Sequence, residues 1–181
     1  AKASGKLLLL DFFTAGAEGL HLLGQQYYDN PKFGQYLNDR FILFRAEPGV
    51  KAGAAIAKRF NAQGTPFLLF LDGDGKDVDW IRGYSAPPEK FHERVLKVER
   101  GEGTFKALSE AYARGSKDVV TVTELARKYE ERQRNRRVEL RQRGAGHQHQ
   151  VALLVVRTVV VTVIAMSMMA ATGYTTSSLA T

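Results

Sequence analysis

Few side chains of this sequence are spaced so that they could do chemistry together. The chain of 181 residues contains no cysteine, which excludes disulfide exchange, thiol nucleophiles, cysteine-bound zinc and iron–sulfur clusters. Asp72 and Asp74 have the spacing with which a calcium loop opens, but Lys76 and Gly83 stand where that loop needs oxygen ligands. We therefore interpret this segment as a turn.

The histidines do not provide a better site. His21 could act as a base, but no nucleophile lies near it in the sequence, so we interpret it as an exposed polar residue. His147 and His149 form only a weak metal-binding pattern. The sequence has no glycine-rich phosphate loop, no Rossmann fingerprint and no Ser–His–Asp set that can be placed. It therefore predicts neither a metal site nor a cofactor.

Apolar runs predict the strands that would position any site. Continuous runs at residues 7–13, 41–44 and 67–71 are typical of strands buried on both faces, and alternation of Val78 with Trp80 predicts a fourth strand. Asp11 interrupts the first run, so we expect it to be buried. Burial of an unpaired carboxylate raises its pKa.

Helical patterns separate these strands. They cover residues 17–28 and 51–60, with a further helix from Pro31 and a closing helix from Pro87 or Pro88, near which Trp80 should lie. Because helices join the first two strands, those strands should be parallel, whereas the short turn between the last two makes a hairpin. The predicted fold class is α/β, a four-stranded mixed sheet flanked by helices.

The rest of the chain divides into two further segments. Residues 104–114 and 117–132 have apolar stripes at helical spacing, which predict an antiparallel helix pair. We therefore expect an α/β domain over residues 1–100, a helical extension over 101–140 and an atypical apolar, Thr-rich tail over 141–181.

The net charge of +7 is unevenly distributed. Residues 1–133 hold 20 Lys and Arg against 18 Asp and Glu, a net charge of +2, whereas residues 134–181 hold six Arg and one acid, a net charge of +5. The basicity therefore belongs to the tail. Since the body is nearly neutral, we expect no nucleic-acid partner.

Residues 151–171 form an apolar run as long as a membrane span, with Arg157 as its only charge. Three interpretations stay open. The abrupt change in composition favours a non-native or disordered tail. The many Val and Thr residues suit strands, or a helix, packed on the body or on a partner. A membrane anchor with a basic flank is the least favoured of the three.

One segment resembles the active-site region of the thioredoxin family. Asp11 precedes Ala17 by six residues, the family's spacing between a buried Asp and the first cysteine of a Cys-x-x-Cys pair. Ala17 and Leu20 occupy the two cysteine positions, and Gly16 replaces the preceding Trp. Disulfide exchange needs a thiolate and a resolving thiol. The resemblance therefore implies relatives that are oxidoreductases, a chain without redox activity, and a structural role for Asp11.

Three further segments carry the resemblance. Gly64-Thr-Pro66 resembles the loop whose cis-proline faces the cysteines, and residues 70–76 resemble the hairpin that follows it. Residues 27–31, Tyr-Tyr-Asp-Asn-Pro, are similar to a segment of bacterial thioredoxin-like disulfide reductases and isomerases. The similarity covers about residues 6–100 and implies a thioredoxin-like fold.

The function that the resemblance implies needs no sulfur. In the family, the residue before the cis-proline pairs its backbone with an extended substrate, much as an added strand would. We therefore expect Gly64, Thr65 and Pro66 to bind an extended peptide or protein partner, beside the turn at residues 17–20. Three alternatives stay open: a turn that merely persists in the fold, an engineered or altered copy of an active thiol-disulfide oxidoreductase or isomerase, and a membrane-tethered structural protein.

The sequence leaves other properties open. Its first residues have no signal-peptide pattern, so they do not indicate a compartment. The resemblance implies an extracytoplasmic (periplasmic) or a cytoplasmic location. The sequence predicts no oligomeric state, and whether the chain is an enzyme stays open.

Overall fold

A single mixed sheet organises the first part of the molecule. A computed structural model describes residues 1–62 and 64–142, except for the side chains of residues 18–20 and 133–142. The strand order is β2-β1-β3-β4. β1 runs parallel to β2 and antiparallel to β3, which runs antiparallel to β4. The predicted four-stranded mixed sheet is therefore confirmed. The strands are β1 (Leu7–Phe12), β2 (Phe41–Ala46), β3 (Phe67–Leu71) and β4 (Asp77–Arg82).

Helices connect and follow the strands. A short 3-10 turn over Lys2–Ser4 precedes β1. The predicted helix at residues 17–28 is two segments, because α1 runs into a π-helical turn over Gly24–Tyr28. The α-helices in the described part of the chain are α1 (Glu18–Leu23), α2 (Pro31–Arg40), α3 (Lys51–Arg59), α4 (Pro88–Arg100), α5 (Phe105–Ala113) and α6 (Val119–Gln142).

Local signals in the sequence set the helix ends. The Asn30 side chain caps α2 by accepting a hydrogen bond from the Lys32 N–H at 3.0 Å, and Pro31 takes the first helical position, where no N–H is needed. Helix α4 ends at Gly101, whose φ of 71° is the left-handed conformation that favours glycine at a helix C-terminus.

One face of the sheet is covered by α1, α2 and α4, and its buried side chains form what we call the aromatic layer. Tyr27 stacks on Phe33 with ring centroids 5.1 Å apart, and it meets Phe91 edge-on at 4.9 Å. Such geometries are favourable for aromatic pairs. The layer consists of Leu9, Leu23, Tyr27, Phe33, Leu37, Phe41, Leu68, Phe70, Val78, Ile81, Phe91, Val95 and Val98.

The other face of the sheet is covered by α3, and we call its buried cluster the α3 layer. Trp80 lies here, on the predicted hairpin, with its ring centroid 5.4 Å from that of Phe105 at the start of α5. The sequence placed Trp80 near the closing helix α4, but α4 contributes to the aromatic layer instead. The α3 layer consists of Leu10, Phe12, Ala46, Ala57, Phe67, Leu69, Leu71 and Trp80.

A β-bulge explains the position of Trp80. Leu71 pairs with Asp77 and Phe70 pairs with Asp79, so Val78 has no counterpart on β3. An extra residue in one strand reverses the alternation of side chains beyond it. Val78 therefore packs in the aromatic layer although Trp80, two residues later, packs in the α3 layer. The predicted simple alternation along β4 is wrong for this reason.

The chain divides between Ala107 and Leu108 into two units, and the second is described by itself. Helix α6 begins with a side-chain cap, because Asp118 Oδ1 accepts a hydrogen bond from the Thr121 N–H at 2.9 Å. Hydrogen bonds from Ser116 and from backbone N–H groups lower the pKa of Asp118 to about 2. The predicted helical extension is therefore present as helices α5 and α6.

Several predictions about the tail fall on residues that the structure does not describe. The run at residues 151–171, His147 and His149 all lie beyond residue 142, the last described residue. Within the described residues, no helix combines the length and apolar character needed to span a membrane.

Candidate functional site

The turn between β1 and α1, at residues 13–17, is held to the body by hydrogen bonds. The Phe13 N–H donates to the Ala46 carbonyl at 3.1 Å, and the Ala15 N–H donates to Glu47 Oε1 at 3.2 Å. The Ala17 N–H donates to the Thr14 carbonyl at 3.1 Å and closes the turn. This turn is therefore fixed in place although its side chains lack redox chemistry.

The three positions of the family motif lie at the start of α1. Gly16 is exposed with φ 78°, and a Cβ on it would meet no atom within 4 Å. A Trp at this position would thus be opposed by the backbone conformation rather than by a lack of space. The Ala17 carbonyl accepts the first helical hydrogen bond, from the His21 N–H at 3.2 Å. Leu20 lies within α1, and its side chain is outside the described set.

The Gly64–Thr65–Pro66 loop lies against this turn. The Thr65–Pro66 peptide bond is cis. Thr65 Oγ1 donates a hydrogen bond to Thr14 Oγ1 at 2.8 Å, which joins the two segments across 51 residues of sequence. The Gly83 N–H donates to the Pro66 carbonyl at 2.9 Å and fixes the loop at the end of β4. The two segments of the resemblance are therefore in direct contact.

Asp11 is fully buried in β1, as the sequence predicts, but it has a partner that the sequence did not reveal. Arg45, its register neighbour on β2, places Nε 3.0 Å from Asp11 Oδ2. Burial raises the pKa of Asp11, and this effect outweighs the opposing influence of the Arg45 guanidinium and of the Tyr28 hydroxyl. The carboxylate is therefore paired, yet it still binds a proton more readily than a carboxylate in water.

Arg45 itself is held between rings. Its guanidinium carbon lies 4.6 Å from the centroid of Phe13 and 5.5 Å from that of Tyr28. These cation–π contacts fix the planar guanidinium over apolar surface while its side chain stays 43% exposed. A partly hydrated, oriented cation thus faces the turn at residues 13–17.

A groove of about 600 Å³ opens beside the turn. Such a volume is within the usual range for ligand pockets, roughly 300–1,000 Å³. His21 lines it and is exposed, in agreement with the interpretation of this histidine as a solvent-facing residue. The lining residues are Gly16, Ala17, His21, Gly24, Gln25, Tyr28, Asp29 and Arg45.

Sequence reasoning missed Arg45, Tyr28 and Asp29, which contribute most of the polar groups of the groove. Arg45 carried a usable signal, because it is the only charged residue of the apolar run Phe41–Ala46, and the predicted parallel pairing of that run with β1 would have placed it near Asp11. Tyr28 ends the π-helical turn and Asp29 follows it, and no pattern in the sequence predicts that turn.

The other candidate residues take no part in this site. Asp72 Oδ1 accepts hydrogen bonds from the Asp74 and Lys76 N–H groups, each at 3.0 Å, so this carboxylate is used within the hairpin turn. Asp74 pairs with Lys2 at 2.7 Å. Among residues 1–62 and 64–142, no three or more His, Asp and Glu side chains are grouped to hold a metal ion.

Comparison with known proteins identifies a domain family for the first part of the chain. The family model for the thioredoxin-like domain matches residues 1–99. A thioredoxin from Thermus thermophilus is 22% identical over 57% of this chain and 81% of its own, with a TM-score of 0.49. A DsbH oxidoreductase is 13% identical over 55% and 76%, with a TM-score of 0.48. A search of curated proteins gave no significant match.

A further solved structure has the same kind of likeness. The oxidised C-terminal domain of Neisseria meningitidis DsbD is 19% identical over 51% of this chain and 79% of its own, with a TM-score of 0.43. The family model covers more than half of the chain, and the four-stranded mixed sheet is the fold of this family. This chain therefore belongs to the thioredoxin-like domain family and is related to thiol-disulfide oxidoreductases, although it contains no cysteine.

Proposed function

We propose that this chain is a redox-inactive thioredoxin-like module that binds an extended peptide segment of a partner protein at the Gly64–Thr65–Pro66 loop. The observation that carries the proposal is the hydrogen bond between Thr65 and Thr14, which fixes this loop beside the turn at residues 13–17. Two residues of that turn, Gly16 and Ala17, also line the groove. A peptide lying along the loop would then reach the groove with a neighbouring side chain.

The backbone of the loop supports strand-like pairing. Pro66 has no N–H, and its carbonyl is occupied by the Gly83 N–H. For Thr65, the described turn and loop contacts include no backbone hydrogen bond. An extended peptide could therefore exchange hydrogen bonds with the Thr65 N–H and carbonyl, in the manner of an added strand.

The groove supports recognition of a polar side chain. It carries the cation of Arg45 and the carboxylate of Asp29, with Gln25 as a neutral donor and acceptor. Arg45 is already oriented by Asp11 and two aromatic rings, so little side-chain entropy is lost when a ligand binds. We therefore expect an acidic or amide side chain of the peptide to occupy the groove.

A titration with a peptide that has no thiols tests this proposal. The probe is carboxymethylated insulin B chain, added to the ¹⁵N-labelled full chain and followed by NMR. We expect chemical-shift changes at Gly16, Ala17, Gly64 and Thr65, and weaker binding by Thr65→Ala, because this variant loses the hydrogen bond to Thr14. Thr123→Ala, which changes an exposed threonine in α6, is the matched control. Absence of shifts at these residues, or equal affinity of both variants, would contradict peptide binding here.

A second candidate function is that of an altered copy of an active oxidoreductase. Asp11 favours it, because a fully buried carboxylate with a raised pKa lowers stability and is not needed to form the sheet. The test restores the thiols with Ala17→Cys plus Leu20→Cys. We expect low but measurable insulin reduction, and none from Ala17→Cys alone or from the parent chain. A double variant that folds and forms its disulfide but reduces no insulin would contradict this candidate.

A further inference from the structure

The outer strand β2 leaves one edge of the sheet open. Within the described residues, β2 is hydrogen-bonded to β1 and to no other strand. Its outer N–H and C=O groups are therefore available to another strand. The strand has six residues, Phe-Ile-Leu-Phe-Arg-Ala, without proline or glycine. This composition favours pairing with a further strand rather than preventing it.

Two large apolar side chains of β2 are exposed. Ile42 is 38% exposed and Phe44 is 47% exposed, although Phe41 and Ala46 in the same strand are buried. Ile42 and Phe44 lie on one face, next to Leu8 and Leu10 of β1. They therefore extend the α3 layer to the rim of the sheet and leave it uncovered there.

The opposite edge of the sheet is protected in two ways that β2 lacks. β4 contains the bulge at Val78 and three charged residues, Asp77, Asp79 and Arg82. Bulges and charges are the usual means by which proteins prevent an edge strand from pairing with another molecule. The single charge of β2, Arg45, is directed to Asp11 and lies over the rings of Phe13 and Tyr28.

We propose that a second copy of this chain pairs with β2, so that two sheets join into one eight-stranded sheet. The pairing is antiparallel about a two-fold axis at Leu43. In an antiparallel pair, opposed side chains lie on the same face, so this register sets Ile42 of each copy against Phe44 of the other. The two exposed side chains of one copy thus cover those of its partner, as a self-complementary interface requires.

Charge favours this register over its neighbours. A two-fold axis at Leu43 places Arg45 opposite the uncharged Phe41 of the second copy, so that no like charges face each other across the pair. An axis at Arg45 would instead oppose two guanidinium groups. One strand edge and two side chains bury less than the roughly 800 Å² per partner of a stable complex. We therefore expect a reversible dimer that forms in the upper micromolar range.

Sedimentation of the full chain over a concentration series up to the millimolar range tests the dimer. We expect a monomer–dimer equilibrium that Phe44→Lys abolishes. Val120→Lys, which changes an even more exposed apolar residue of α6, 71% exposed against 47% for Phe44, is the control and should still dimerise. A parent chain that is monomeric throughout the series, or a dimer that Phe44→Lys leaves intact, would overturn the proposal.

The absence of native cysteines allows the register to be tested directly. Single cysteines placed in turn at residues 41–46 should cross-link under mild oxidation most efficiently at Leu43→Cys, because this position opposes itself across the axis. A maximum at another position would overturn the register. Slow hydrogen exchange at the β2 amides in a monomeric sample would assign the edge to a different segment and would overturn the dimer.

Discussion

The aromatic layer and the turn at residues 13–17 are adjacent parts of one sheet, yet they differ in what they retain. The aromatic layer is complete: Tyr27, Phe33 and Phe91 are fully buried and interlock between the sheet and three helices. The turn is fixed by hydrogen bonds, but Ala17 and Leu20 stand at the positions where the family resemblance implies the two reactive cysteines.

The difference between the two regions shows two kinds of constraint on the sequence, one from folding and one from chemistry. A buried aromatic residue contributes to stability whatever the protein does, so its loss weakens the fold. A pair of thiols contributes chemistry and is not needed for the packing of the sheet. The structure retains the buried aromatic residues together with a buried acid, Asp11, whose raised pKa means that its charged form opposes folding. Substitutions in the aromatic layer and in the turn test how differently the two regions contribute to stability.

The largest effect is expected in the aromatic layer. Phe91→Ala should lower the free energy of unfolding by about 3–5 kcal/mol, because it leaves a cavity beside Tyr27. Phe13→Ala, in the turn, removes a half-buried ring and its contact with Arg45, and should cost only about 1 kcal/mol. Urea unfolding of both variants measures the contrast. Equal costs would show that the turn supports the fold as much as the aromatic layer does.

An intermediate effect is expected at the Asp11–Arg45 pair. Arg45→Met should lower stability at pH 7 by roughly 1–3 kcal/mol, because it leaves a buried carboxylate without its cation. The same substitution in an Asp11→Asn background should cost less, since no buried charge is then left unpaired. Urea unfolding of the four proteins of this cycle isolates the interaction. Equal costs in both backgrounds would contradict a stabilising pair.

The pH dependence of stability shows whether the charged form of Asp11 stabilises or destabilises the fold. Its pKa is raised in the folded state, so folding is favoured when Asp11 is protonated, and this contribution is lost as pH rises above about 4, the ordinary range of Asp. Asp11→Asn should therefore stabilise the chain at pH 7 and give no gain in acid. A variant that is less stable than the parent at pH 7 would show that the charged form is needed for the fold.

The smallest effect is expected at His92, on the rim of the aromatic layer. Its Nδ1 lies 2.8 Å from the Tyr27 hydroxyl, and the rings of Phe33 and Tyr36 pack around it. Burial and the charge of Lys32 lower its pKa, while Glu99 on the same helix opposes them. Because the half-buried imidazole resists protonation, stability should fall as pH drops below about 6.5, the ordinary value for His.

Unfolding midpoints between neutral pH and pH 5 check this expectation. His92→Gln should have a shallower loss of stability on acidification than the parent, because its amide can accept the Tyr27 hydrogen bond and does not titrate. His21→Gln, which changes an exposed histidine of the groove, is the matched control and should follow the parent. Identical slopes for all three proteins would exclude His92 as a source of acid sensitivity.

Features that follow from local patterns could be predicted from the sequence, whereas features that depend on tertiary structure could not. The β3–β4 hairpin follows from two apolar runs and a short turn, and the parallel pairing of β1 with β2 follows from the helices that join them, which are all local patterns. The Asp11–Arg45 pair joins side chains 34 residues apart, and its identification needed the strand register. The face on which Trp80 lies depends on one unpaired residue, and no residue type marks that position. The Thr65–Thr14 contact likewise depends on tertiary structure.

The bulge at Val78 also bears on how this fold tolerates changes in length. The pairs from Phe67–Arg82 to Phe70–Asp79 and the pair Leu71–Asp77 flank the extra residue on both sides. Deleting Val78 would therefore restore regular pairing without shifting any other partner, and Trp80 would stay in its layer. The deletion would remove one valine from the aromatic layer and nothing else. The hairpin can therefore lose one residue of β4 while its other strand pairs are kept, whereas a deletion within β3 would shift the pairing of that strand with both of its neighbours.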